Sequence, residues 1–160
     1  MTDHVWIALL VLATVGSGLV GGLFFVFSNT VMRAFDRLPA AHAVAAMNSI
    51  NRVILNPGFF LVFFGTALLC VVILIGQPSQ TGGRSGAMAL AGAVLYLVGS
   101  IGVTMVFNVP LNNKLASLTP AASDMETQWP AYRGPWTRWN HVRAVACLLA
   151  AAAFAHALVG

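Results

Sequence analysis

Between Val5 and Phe27 the chain reads VWIALLVLATVGSGLVGGLFFVF, without one charged side chain. A helix needs about 20 predominantly apolar residues to cross the hydrocarbon core of a bilayer, where no water can satisfy an unpaired peptide group. Three further stretches meet that condition: residues 57–76, with GFFLVFFGTALLCVVILIG as their body, residues 87–107, and residues 140–159, which hold most of ACLLAAAAFAHALVG. Only 8% of the 160 residues are charged, against roughly a quarter in soluble domains. The expectation is therefore an all-α fold: one integral membrane domain over residues 1–160, a four-helix bundle with the lipid bilayer as its partner.

The same residues suggest how the bundle packs and how it is oriented. Small residues recur in the spans (Gly16, Gly18, Gly21, Gly22, Gly92, Gly99, Gly102) and let helix backbones approach where lipid removes the hydrophobic drive. The Gly- and Ala-rich faces also leave a homo-oligomer open. The start, MTDHVW, lacks the basic flank of a cleaved signal, so the first span is expected to stay. Arg33, Arg37 and Arg52 lie between spans one and two, and Lys114, Arg133 and Arg138 between spans three and four, while the other side carries Arg84. By the positive-inside rule the first and third loops face the cytoplasm and both termini lie opposite. The net charge of +4 has this anchoring role. No basic run offers a nucleic-acid footprint, and no nucleic-acid partner is expected.

The loops differ in content. Residues 77–86, QPSQTGGRSG, read as a turn. In the first loop, PAAHAVAAMNSINRVILN predicts a helix over about 39–55 lying at the membrane interface. At 100° per residue its Val44, Met47, Ile50, Ile54 and Leu55 share one side, with Asn51 among them. Asn108–Trp139 is expected as the third loop. It opens with FNVPLNNKL, whose Asn108 and Asn112 frame Pro110.

Uncharged polar residues gather at one predicted end of the bundle. Asn29, Asn51 and Asn56 come from the first loop, Asn108, Asn112 and Asn113 from the end of span three, and Asn140 and His141 from the start of span four. Arg52 and Arg143 join them. Asn140, Arg143 and Cys147 share a helix face by i, i+3, i+7 spacing, with Trp136 or Trp139 close by. Asparagines at helix ends cap backbone groups, and tryptophans and arginines anchor at interfaces, so a structural role accounts for any one of them. The clustering points instead to a polar pocket, with FNVPLNNKL as one wall. Asn51 and Arg143 are its strongest members, since an ionisable or amide group inside an apolar segment is costly. Metal readings find little support. His4, His42, His141 and His156 form no paired motif, no carboxylate lies inside a span, and Asp3, Asp36, Asp124 and Glu126 read as solvated. Cys70 and Cys147 read as small buried apolar residues.

Three segments occur in order around the four spans: RAFDRLPAAHAVAAMNSINRVILNPGF, FNVPLNNKLASL and WPAYRGPWTRWNHVRAVA. Their marks are Asn51 and Asn56 in IN-x-x-x-x-NP, Asn108, Pro110 and Asn112 in N-x-P-x-N, and Trp136, Asn140 and Arg143 in W-x-x-x-N-x-x-R. Over nearly its whole length the chain resembles the anthrone oxygenase-like family of small integral membrane proteins. The resemblance implies oxidation of an anthrone or a similar lipophilic phenolic compound by O2, with no cofactor and no metal. It implies His141 as a base, Arg52 and Arg143 as anion partners, and Asn51, Asn108, Asn112 and Asn140 as amide donors. Trp136, Trp139 and Phe107 would stack the ring. A non-enzymatic reading, a binding or accessory membrane protein with a structural asparagine cluster, stays open beside it.

Overall fold

The computed structural model describes residues 3–76, 83–118 and 122–159, and of 122–124 the backbone alone. Helices α1 (Asp3–Phe35), α2 (Ala40–Val53), α3 (Pro57–Gly76), α4 (Gly83–Ala116) and α5 (Ala122–Val159) account for nearly all of them. There is no strand among the described residues. All but α2 are long and apolar enough to cross a membrane. The fold is thus an all-α bundle of four membrane-capable helices, with α2 as an extra helix between the first and second.

The helices outrun the spans, and they do so at one end. α1, α4 and α5 have 33, 34 and 38 residues, whereas α3 has 20. At 1.5 Å per residue the long ones reach roughly 50 Å, against a hydrocarbon core of about 30 Å. Six residues, 77–82, join α3 to α4, and the Ser85 hydroxyl donates to the Ala157 carbonyl at 2.6 Å. The ends of α3, α4 and α5 are therefore level on that side. The surplus stands at the opposite end as a head above the membrane-spanning part. α2 packs there against the last turns of α4 and the first half of α5, where α3 does not reach.

This head replaces most of the expected third loop. α4 does not stop at Phe107 but passes through FNVPLNNKL to Ala116. Two π-helical stretches, Leu97–Gly102 and Thr104–Asn108, widen it just before Pro110, and the Val109 N–H reaches back five residues to the Thr104 carbonyl. A wider turn relieves the clash between a proline ring and the preceding carbonyl that ordinarily breaks a helix. Residues 122–139 are likewise not a loop but the first half of α5. Pro130 and Pro135 deprive the Glu126 and Ala131 carbonyls of their usual i+4 donors. Both of those residues are exposed, so solvent can serve instead. Of the turn read at 77–86, residues 83–86 already belong to α4, and residues 77–82 lie outside the described set.

Packing follows the same two-storey plan. In the spanning part Trp6, Leu10, Phe24, Phe63, Tyr96, Cys147 and Phe154 form one core, and the Tyr96 hydroxyl donates to the Phe63 carbonyl at 2.9 Å. Helices touch through small residues. A Cβ at Gly16 would overlap the Thr66 hydroxyl, and one at Gly99 would collide with Ala146. A second core in the head joins Met32, Met47, Leu115, Met125, Trp129, Tyr132 and Trp136. On α2, Val44 and Met47 are buried as their spacing predicts, but Leu55 lies beyond the helix end and is 61% exposed. Asn56 caps α3, its Oδ1 accepting the Phe59 N–H at 3.0 Å.

Candidate functional site

The two storeys meet at a cavity of about 380 Å³, within the range of small-molecule sites. Phe24 and Phe27 of α1, Phe59 of α3 and Trp136 of α5 give it an aromatic wall, and Met47 and Ile50 of α2 with Ile54 just beyond it an aliphatic one. Its polar groups are Asn48, Asn51 and Arg52 from α2, Thr104, Asn112 and Asn113 from α4, and Asn140 and Arg143 from α5.

The α5 contribution comes from one helical stripe. Trp129, Tyr132, Trp136, Asn140, Arg143 and Cys147 follow one another at intervals of three or four residues, and all are buried. Arg143, 6% exposed, is held by neutral partners: Nη1 donates to Thr104 Oγ1 at 3.1 Å and Nη2 to Asn140 Oδ1 at 2.5 Å. Its guanidinium carbon lies 4.0 Å from the Phe24 ring centre and 5.5 Å from that of Trp136. Such contacts favour the cation by about 0.5–2 kcal/mol, far less than the cost of burying a charge without a counter-ion. Nε of Arg143 has no partner.

Asn140 orients this arginine. Its Nδ2 donates to the Phe24 carbonyl at 2.7 Å and to Ser28 Oγ at 2.6 Å, which leaves Oδ1 for the arginine. Ser28 lies on the π-helical stretch Phe27–Val31 of α1, so widened turns on both α1 and α4 border the cavity. Asn112 is fixed in another way. Tyr132 Oη and Trp136 Nε1 both donate to its Oδ1, at 2.9 and 2.8 Å. An indole N–H can only donate, so the amide oxygen must face it, and Nδ2 is the group left for the cavity. Asn51 brings its Nδ2 near the Tyr132 hydroxyl without reaching hydrogen-bond geometry. Arg52 is exposed at the rim.

Four expected site residues stand elsewhere. His141 is exposed and lies off the cavity wall, two residues short of the arginine face of α5. Asn108 is 1% exposed between α4 and α5, its Nδ2 donating to the Trp136 carbonyl at 3.2 Å. It supports the wall from behind. Phe107 and Trp139 stack on each other, with ring centres 3.6 Å apart, and that leaves neither in the cavity. Conversely, Tyr132, Thr104, Phe24 and Ser28 escaped the sequence reading. The α5 stripe was the available signal for Tyr132, obscured by the surrounding prolines and Gly134. Among the described residues no three of His, Cys, Asp and Glu gather as metal ligands.

The model of the anthrone oxygenase family matches residues 59–153. That stretch contains the α4 and α5 walls of the cavity, with Thr104, Asn112, Trp136, Asn140 and Arg143, while α1 and α2 precede it. No curated protein and no solved structure matches the chain.

Proposed function

The chain belongs to the anthrone oxygenase family, and on that premise we propose that it is a membrane-embedded oxygenase that oxidises an anthrone or similar lipophilic phenolic ring with O2. The observation that carries this reading is Arg143, buried in an aromatic-walled cavity at the mouth of an apolar bundle. In the reaction the central methylene of an anthrone becomes a carbonyl. O2 is the four-electron oxidant, and its two oxygen atoms end in the new carbonyl and in water. An anthrone ionises at that methylene, and its anion can pass electrons to O2 directly, so O2 is the one co-substrate the reading requires. A cation beside the ring oxygen favours the anion and so favours loss of the proton. In this assignment Arg143 and the Asn112 amide meet the oxygen, and Trp136 and Phe24 hold the ring. Asn51 and Arg52 close the α2 side, and Asn140 positions the arginine. His141 has no role in it.

Oxygen uptake by the protein purified in detergent, with emodin anthrone as substrate, tests this. Wild type should consume O2, and Arg143→Ala should lose most of the rate. A wild type that neither consumes oxygen nor binds the ring would leave the non-enzymatic binding protein as the better account. Loss of activity on chelation would overturn the cofactor-free part. The cavity end is proposed to face the cytoplasm, on the placement of the basic residues.

A further inference from the structure

We propose that the cavity selects its ligand by charge, taking a lipophilic monoanion whose ionised oxygen pairs with the Arg143 guanidinium. The inference rests on the cavity being a small-molecule site and adds the charge state of what fills it. Arg143 is more than nine-tenths buried, yet both of its side-chain partners, Thr104 and Asn140, are neutral. Of the carboxylates with described side chains, Asp3, Asp36 and Glu126, none lines the cavity, and Asp36 pairs with Arg133 in the head. The arginine therefore brings a charge into the site that no described side chain balances. Its Nε–H is shielded and has no partner, so the protein itself satisfies the guanidinium incompletely, and an oxyanion in the cavity would supply the charge-assisted partner that it lacks.

The surrounding groups favour the same ligand. Asn112 has its oxygen occupied twice and offers only its amide hydrogens. Asn48 Oδ1 is the one acceptor on the wall that is both buried and unpartnered. Beside the aromatic wall the site thus presents donors, the Arg143 guanidinium and the Asn112 amide. Apart from Asn51, Thr104, Asn113 and Asn140 the rest of the lining is apolar, and the second cation, Arg52, stands exposed at the rim. One buried positive charge balances one negative charge. A dianion would place its second charge against phenylalanine and isoleucine, and a neutral ring would leave the arginine uncompensated.

Equilibrium dialysis in an uncharged detergent reads this directly, with two pairs of probes that differ in charge but hardly in shape: 2-naphthoate against 2-naphthamide, and dodecanoate against dodecanamide. The charged member should bind at least about tenfold tighter, about 1.4 kcal/mol, in the pair that fits, and that pair tells ring from acyl chain. Arg143→Gln should remove the preference while still binding the amide, and Arg143→Lys should keep part of it. Equal binding within both pairs by wild type overturns the proposal, with no need of a variant that folds. So does a preference that survives in Arg143→Gln. An anthrone oxidised by a site without charge preference would refute this inference and leave the oxygenase reading standing. A clear preference with no oxygen uptake would do the reverse.

Discussion

Asn140 makes three hydrogen bonds on two helices, to Phe24 and Ser28 of α1 and to Arg143 one turn along α5. Its replacement by alanine would strand a buried hydroxyl, a carbonyl and an arginine N–H at once. Asn140→Ala should therefore cost about 1–3 kcal/mol per stranded group that finds no water, visible as a lower melting temperature in detergent. Tyr132→Phe removes one of the two donors that fix Asn112 and should cost about 1 kcal/mol. Trp136 still holds the amide, so the loss of affinity for a ring should be smaller than for Asn112→Leu in the same binding assay. The sequence made Asn112, Asn140 and Arg143 legible because a polar group on an apolar helix face has no cheap location. It did not separate them from Asn108, which has the same composition and neighbourhood. One residue of helical rotation decides which amide faces a cavity and which faces a seam, and that rotation depends on the π-helical stretch just before it. His141 lies off the cavity for a related reason: adjacency to Asn140 in the chain puts it about 100° away around the helix.

Among the elements, the four apolar helices could be read from length and hydropathy alone, but where α4 and α5 end could not. Pro110, Pro130, Gly134 and Pro135 are loop signals in isolation, and here a widened turn and an exposed face neutralise them. What holds the long helices together is close approach at small residues. Gly99→Leu would drive a branched side chain into Ala146 and should destabilise the bundle by about 1–3 kcal/mol. Gly18→Leu, where a Cβ meets nothing, should be tolerated, so paired thermal melts separate packing from helix propensity. The ion pair between Arg133 of α5 and Asp36 beyond α1 is a different kind of tie. Its side chains are 42% and 32% exposed, so Asp36→Asn should cost less than about 1 kcal/mol.

The whole molecule is a membrane bundle carrying a head, and the division can be probed chemically. Cys70 and Cys147 are fully buried and should resist a membrane-impermeant maleimide. A cysteine introduced at the exposed Glu126 of the head should react, and in intact cells only after the membrane is opened, if the head faces the cytoplasm. Labelling of intact cells would reverse the proposed orientation. At this scale the sequence offered a bundle with loops and could not offer a head, because the head's core of Met32, Met47, Leu115 and Trp129 draws on four separate segments. The break between α2 and α3 gives the head a further property. Three helices run the full height, while the fourth is interrupted at Ile54–Asn56, beside the cavity. A ligand in that space would stand in place of the missing helical turn, so its binding should act as a keystone. A ligand at a hundred times its dissociation constant adds about 2.7 kcal/mol to the folded state. A library of ring compounds could therefore be ranked by heat alone, before any reaction is known.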